Sequence, residues 1–387
     1  MRFALLAPVV ACAVFAQNRQ VTDAEVMRVH RSALIIDTHN DVSMKTVKGY
    51  DIGQRAPRGS TDIPRLKAGN IGATFFAAYV PGRYAREKKA AAYARTVIDS
   101  IRNDIAGRHP ETFVFAKTAD DIVNARKRGK IAALIGLEGG HAIEDSVETL
   151  GEFFNSGVRY MTLTHSNTNN WADSSGDILN KSVKHHGGLN DLGRSIVREM
   201  NKLGMIVDIS HVADDTFWDV LETSRAPVFA SHSSCRAISN ARRNMTDDMI
   251  VAMAKKGGVI QINFACSFLN DRVRTDAVQE KEKINKKFGN DQDSLKTYVE
   301  ANFARATLAD VVAHIDHVVK IAGIGAVGIG SDFDGVDCTP IGLDDVSKFP
   351  NLTRALLEKG YTAEQIQKIY GGNTLRLMRQ VEAASQS

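Results

Sequence analysis

What most constrains this chain is an alternation of short apolar runs with amphipathic stretches, repeated along almost its whole length. The runs are Ala33 to Ile36, Ala73 to Val80, Ile131 to Leu137, Tyr160 to Leu163, Met205 to Ile209, Pro227 to Ala230, Val259 to Ile262 and Ala326 to Ile329. Runs that are apolar throughout suit strands buried on both faces, which describes a parallel sheet covered by helices. Eight such units in 387 residues predict a single (β/α)8 TIM-like barrel. The intervening stretches read as helices, among them Asp191 to Leu203 and Leu308 to Ala322, and Thr362-Ala363-Glu364-Gln365 reads as a capping box opening a C-terminal helix. Asn270 to Asn302 is highly charged and longer than a normal βα connection, so it predicts a helical insertion near the barrel mouth, as a lid or as a solvated excursion.

Seven of the eight runs end in a residue able to ligate, donate or titrate. A barrel enzyme carries its chemistry where strands end and βα loops begin, so these positions are candidates as a set. Each alone could simply mark a strand leaving the core. His39 and Asp41 stand at spacing i, i+2, on one side of an extended strand end, and can grip one ion together. Glu138 precedes Gly139-Gly140, which allow a tight turn, and its two oxygens can bridge two cations. His211 and His232, each preceded by a serine, would offer neutral imidazole to a second ion, and Asp332 at the eighth end would stand beside the first pair.

A set of His, Asp, Glu, His and His needs no cysteine and suits a catalytic zinc site of the metal-dependent hydrolase type more than a structural one. Two ions sharing a carboxylate can hold a hydroxide and polarise a carbonyl, which is metal-assisted amide hydrolysis. Other histidines read as bystanders: His314 and His317 as surface residues of a helix, His185-His186 as a solvated loop pair, and His141 as a helix-start residue.

The 43% hydrophobic and 24% charged residues give material for a sizeable core, and the net charge of +4 is dispersed, without the basic stripe that nucleic acid requires. Residues 1–16 carry Arg2, an apolar run from Phe3 to Phe15 and a small residue, Ala16, as expected of a secretory signal peptide too short to span a bilayer. Export to the periplasm or medium follows, with residues 17–387 as one mature domain. Lipidation at Cys12 is a rival reading, because Val9-Val10-Ala11-Cys12 loosely matches a lipoprotein cleavage site. Cleavage after Ala16 leaves Cys235, Cys266 and Cys338, so at most one internal disulfide can form.

The ordered segments Asp37-Thr38-His39-Asn40-Asp41, Gly136-Leu137-Glu138-Gly139-Gly140-His141, Leu163-Thr164-His165-Ser166 with Trp171-Ala172-Asp173, Asp208-Ile209-Ser210-His211-Val212, Ser231-His232-Ser233-Ser234, Arg242-Arg243-Asn244 and Gly330-Ser331-Asp332-Phe333-Asp334-Gly335 resemble the membrane dipeptidase family of zinc peptidases. The resemblance implies two zinc ions per chain, with His39 and Asp41 on the first, Glu138 bridging, and His211 and His232 on the second. It also implies that His165 stabilises the oxyanion, that Asp332 handles the proton of the water and the leaving amine, and that Arg243 binds the carboxylate of a dipeptide substrate, including some with a D-residue second. Phe268 stands where some members carry a tyrosine facing the substrate, which puts side-chain preference in question. The sequence leaves open a related barrel amidohydrolase acting on a lactam or other non-peptide amide, and a homodimer as the assembly.

Overall fold

The computed structural model describes residues 20–274, 287–289 and 291–386. The signal-peptide and Cys12 expectations therefore lie outside the described residues. Among the described residues nine strands form one parallel sheet: β1 (Ile35–Asn40), β2 (Ile71–Tyr79), β3 (Phe113–Phe115), β4 (Ile131–Glu138), β5 (Val158–Thr162), β6 (Ile206–Asp208), β7 (Phe229–Ser233), β8 (Val259–Ile262) and β9 (Val327–Ile329). Eight follow the path β1-β2-β4-β5-β6-β7-β8-β9, and β3 pairs with β4 beside that path. The eight runs read from the sequence are those eight strands. Strand β3 is not legible in the sequence because three residues with two of them half-exposed carry too little apolar signal. Strand β7 begins at Phe229 rather than Pro227, since proline has no N–H for the ladder, and continues through His232 to Ser233.

The path closes by contacts between β1 and the residues after β9. Asp332 N donates to His39 O at 3.0 Å, Asp41 N donates to Phe333 O at 2.9 Å, and Thr38 Oγ1 donates to Ser231 O at 2.6 Å and lies 3.1 Å from Ile329 O. This gives the (β/α)8 barrel, and close approach at the seam needs Gly330, where a Cβ would lie 1.9 Å from Ser231 O.

Alternation along the strands divides the core in two. Ile36, Ala73, Phe75, Leu134, Tyr160, Ile206, Phe229 and Val259 pack together with Leu377, Met378 and Val381 of the C-terminal helix Asn373–Ala384. The residues that alternate with them, such as Phe76 and Ala78 on β2 and Ala133, Ile135 and Leu137 on β4, pack with the surrounding helices. Glu138 keeps phase with Ala132 and Leu134 and so stands at the mouth above the inner cluster. The helices Asp191–Leu203 and Leu308–Ala322 and the capping box at Thr362 are as the sequence predicts. Gln292–Asn302 forms a helix within the charged excursion. Two cysteines, Cys266 and Cys338, form a disulfide joining the segments that follow β8 and β9, while Cys235 is free and buried.

The reading of His314 as a surface residue is wrong. The ring is fully buried, with Cys235 N donating to Nδ1 at 3.0 Å and Nε2 donating to Leu269 O at 3.0 Å. It staples the segments after β7 and β8 to the helix, a role invisible in a helical i, i+3 pattern. His317 is partly exposed and pairs with Asp247. Nor is His185-His186 a solvated pair: His186 N donates to the Asp173 carboxylate and its Nε2 meets Asn169 O at 2.9 Å.

Candidate active site at the barrel mouth

The strand ends bring every candidate except the outlying helix histidines into one cluster. Glu138 is 4% exposed and lies at its centre. Its Oε2 faces His39 Nε2 at 3.6 Å, whereas Oε1 faces His211 Nε2 at 3.1 Å, His232 Nε2 at 3.3 Å and His165 Nε2 at 4.0 Å. The two oxygens of one carboxylate thus address two different sets of groups. On the Oε2 side, His39 Nε2 is 3.4 Å from Asp41 Oδ2, and His39, Asp41 and Asp332 bring their ligand atoms within 4.8 Å of one another. Glu138, His165 and His211 do the same on the other side, and His39, Glu138 and His232 form a third such group between them.

Sequence patterns miss the groups that orient these side chains. Tyr160, deep in the barrel, donates to Thr38 O at 3.1 Å, leaving its oxygen to accept from His39 Nδ1 at 2.7 Å. That arrangement turns His39 Nε2 toward Glu138, and this nitrogen is buried without a hydrogen-bond partner. Asn263, the polar residue that ends the seventh run, donates to Asp332 Oδ2 at 2.8 Å, a partner that its position in the sequence does not show. Tyr79, the last residue of β2, pairs in register with Glu138 and sets its ring 4.6 Å from that of His165. Its run is the one that shows no polar terminus in the sequence, because tyrosine reads as apolar there.

Backbone strain collects at the same place. His211 and Asp332 adopt left-handed conformations, with φ of 68° and 62°, as does Asp334 at 69°. Such conformations cost non-glycine residues free energy and tend to persist at functional sites.

Burial dominates the electrostatics. It pushes His211 and His232 well below the ordinary histidine value, so both are neutral with lone pairs to offer. Burial would raise Glu138, but the charge of His39 and His165 and the nearby His211 and His232 hold it well below the usual carboxylate range. Burial raises Asp332 well above that range, opposed by His39 and reinforced by Asp41 and Glu138. Arg243 is pushed down to about 10 by burial and stays charged at neutral pH. Its Nη2 donates to His232 O at 2.7 Å, while Nε and Nη1 are buried without partners. Arg242, beside it, is exposed. The Phe268 ring lies 5.7 Å from the Arg243 guanidinium carbon.

Buried imidazoles and carboxylates with an orphaned nitrogen on His39, all nitrogen and oxygen donors, fit divalent cations such as zinc. A parallel (β/α)8 barrel with such a set at its C-terminal mouth defines a metal-dependent hydrolase. Residues 23–387 match the model of the membrane dipeptidase family, peptidase family M19, and the chain belongs to that family of metal-dependent dipeptidases.

Solved structures agree on the fold. The probable dipeptidase PvdM from Pseudomonas aeruginosa is similar with 24% identity and a TM-score of 0.80, over 93% of this chain and 98% of that one. A metallo peptidase from Rhodobacter sphaeroides, liganded with a phosphinate mimic of the dipeptide L-Ala-D-Ala, is 25% identical with a TM-score of 0.74, over 90% of this chain and 99% of that one. An amidohydrolase from Pseudomonas aeruginosa is 22% identical with a TM-score of 0.71, over 92% of this chain and 98% of that one.

Proposed function

We propose that this chain is an exported dipeptidase, one mature domain over residues 17–387, that uses two zinc ions to hydrolyse dipeptides with a free C-terminal carboxylate, L-Xaa-D-Xaa among them. The observation that carries this reading is the division of Glu138, with one oxygen toward His39 and the other toward His211 and His232. His39 and Asp41 would hold one ion, His211 and His232 the other, and Glu138 both. Such a pair supplies an activated water and a polarised scissile carbonyl.

The protein's own groups do the rest. Arg243 takes the substrate carboxylate on one of the two donors it has free. His165, whose Nε2 lies 4.0 Å from Glu138 Oε1, faces the position of the developing oxyanion. Asp332, its Oδ2 fixed by Asn263, receives the proton of the attacking water and passes it to the leaving amine. Support for the D-residue comes from the Rhodobacter sphaeroides relative, which was captured with an L-Ala-D-Ala mimic. The Cys266–Cys338 disulfide suits an oxidising compartment and supports export. Among the described residues no helix is long and apolar enough to cross a membrane.

Purified protein should cleave L-Ala-L-Ala and L-Ala-D-Ala, stop after treatment with a strong chelator, and recover as zinc is restored to two ions per chain. Cleavage indifferent to the chelator would refute the mechanism. Recovery complete at one ion per chain would refute the dinuclear site, and turnover of β-lactams or cyclic amides in preference to dipeptides would reassign the substrate.

A further inference from the structure

Two strand ends at the mouth share one construction. On β1, Asp37 Oδ1 accepts from His39 N at 3.4 Å and Ser331 N at 2.8 Å, and its Oδ2 accepts from Ser331 Oγ at 2.6 Å. On β6, Asp208 Oδ1 accepts from Ser210 N at 3.0 Å and Ser231 N at 2.8 Å, and its Oδ2 accepts from Ser231 Oγ at 2.6 Å. In each case a buried aspartate binds the amide two residues on and clamps a serine from the neighbouring strand end by both amide and hydroxyl. Each serine immediately precedes a site residue, Asp332 or His232.

The second clamp does more than hold backbone. Ser231 Oγ lies 2.8 Å from His232 Nδ1. A hydroxyl has one proton, and that of Ser231 is committed to Asp208, which also accepts from Thr162 Oγ1 at 2.5 Å and so has no donor role to exchange. Ser231 Oγ must therefore accept from His232, which places the imidazole proton on Nδ1. His232 Nε2 is left without a proton, 3.0 Å from His211 Nε2 and 3.3 Å from Glu138 Oε1.

We propose that Asp208, acting through Ser231, fixes the Nδ1–H tautomer of His232, and that Asp208 and Ser231 are positioning residues for the donor nitrogen. A consequence for zinc rests on the dinuclear reading above, whereas the tautomer itself does not. Removing a hydrogen-bond partner behind a metal-binding histidine costs about 10- to 100-fold in metal affinity.

The test uses full-length protein labelled with 15N-histidine and freed of metal, with the His232 resonances assigned by comparison with His232→Gln. Long-range 1H–15N correlation should show the proton of His232 on Nδ1 in the wild type. In Asp208→Asn the new amide donates to Ser231, the serine proton turns toward His232, and the imidazole proton should move to Nε2. Ser231→Ala should lose the defined tautomer and Ser231→Thr, which keeps the hydroxyl, should restore it; this pair serves if Asp208→Asn does not fold.

Zinc competition against a chromophoric chelator should show one of two affinities weakened about 10- to 100-fold in Asp208→Asn and Ser231→Ala, with recovery in Ser231→Thr. The same tautomer in wild type and Asp208→Asn, or an Nε2–H wild type, would overturn the proposal. A tautomer change between wild type and Asp208→Asn, in a protein that takes up no zinc, upholds the relay and sinks only the dinuclear reading.

Discussion

Replacing Arg243 separates recognition of the substrate carboxylate from the rest of the reaction. The guanidinium is held by one bond, Nη2 to His232 O, and backed by the Phe268 ring, with Nε and Nη1 buried and unpartnered. Hydrogen bonds between charged partners contribute about 1.5–3 kcal/mol each, and Nε and Nη1 lie on different edges of the guanidinium fork, so about 3 kcal/mol is the value for one strong contact. That corresponds to roughly 150-fold in kcat/KM. The assay compares a dipeptide with its C-terminal amide, in wild type and in Arg243→Met, which keeps the length of the side chain without its charge. Wild type should prefer the free acid by about that factor, and the variant should lose most of the preference while its rate on the amide changes little. Arg243→Lys should fall between them, since a point charge cannot reproduce the fork. A variant that keeps the wild-type preference for the acid would refute the assignment.

Acid should weaken the fold through two histidines outside the metal-ligand cluster. Burial pushes His30 and His314 down to about 4 from 6.5, so as pH falls the unfolded chain takes up these protons first. Stability therefore rises with pH across that window and is lost as pH drops from about 6.5 toward 4, by at most about 3 kcal/mol per residue. Urea unfolding at a series of pH values should give a shallower dependence for His314→Gln; an unchanged slope would count against the argument. The Cys266–Cys338 bridge closes a span of 72 residues, and chain entropy puts its contribution at about 4 kcal/mol, so Cys266→Ser/Cys338→Ser should melt well below the wild type in a thermal scan. At Gly330 an added Cβ meets backbone that cannot yield, so Gly330→Ala should cost about 3 kcal/mol in denaturant unfolding. Gly151, in the helix Val147–Ser156 with open space around it, should gain about 0.8 kcal/mol as alanine in the same measurement.

The sequence by itself determined the barrel and the membership of its mouth. Continuous runs such as Ile131 to Leu137 exist because a parallel strand is buried on both faces, and a polar residue at the end of each run marks where burial stops; that local rule led to His39, Glu138, His211, His232 and Asp332. The family-wide motifs pointed to Arg243 over Arg242, which local chemistry could not separate; Arg243 has two buried, unpartnered nitrogens, whereas Arg242 is exposed. Only the tertiary structure decided which groups stand behind them. Tyr160 lies 121 residues from His39, Asp208 lies 23 residues from Ser231, and Asn263 lies 69 residues from Asp332. None of these pairs has a spacing signature, because each forms only when the strands close around a common axis. His314 was misplaced for the same reason: its helix pattern says which face it occupies, but what covers that face is settled by the segments carrying Cys235 and Leu269. Strand periodicity is a property of the chain, whereas the direction of a lone pair at Glu138 depends on strands that meet only when the barrel closes.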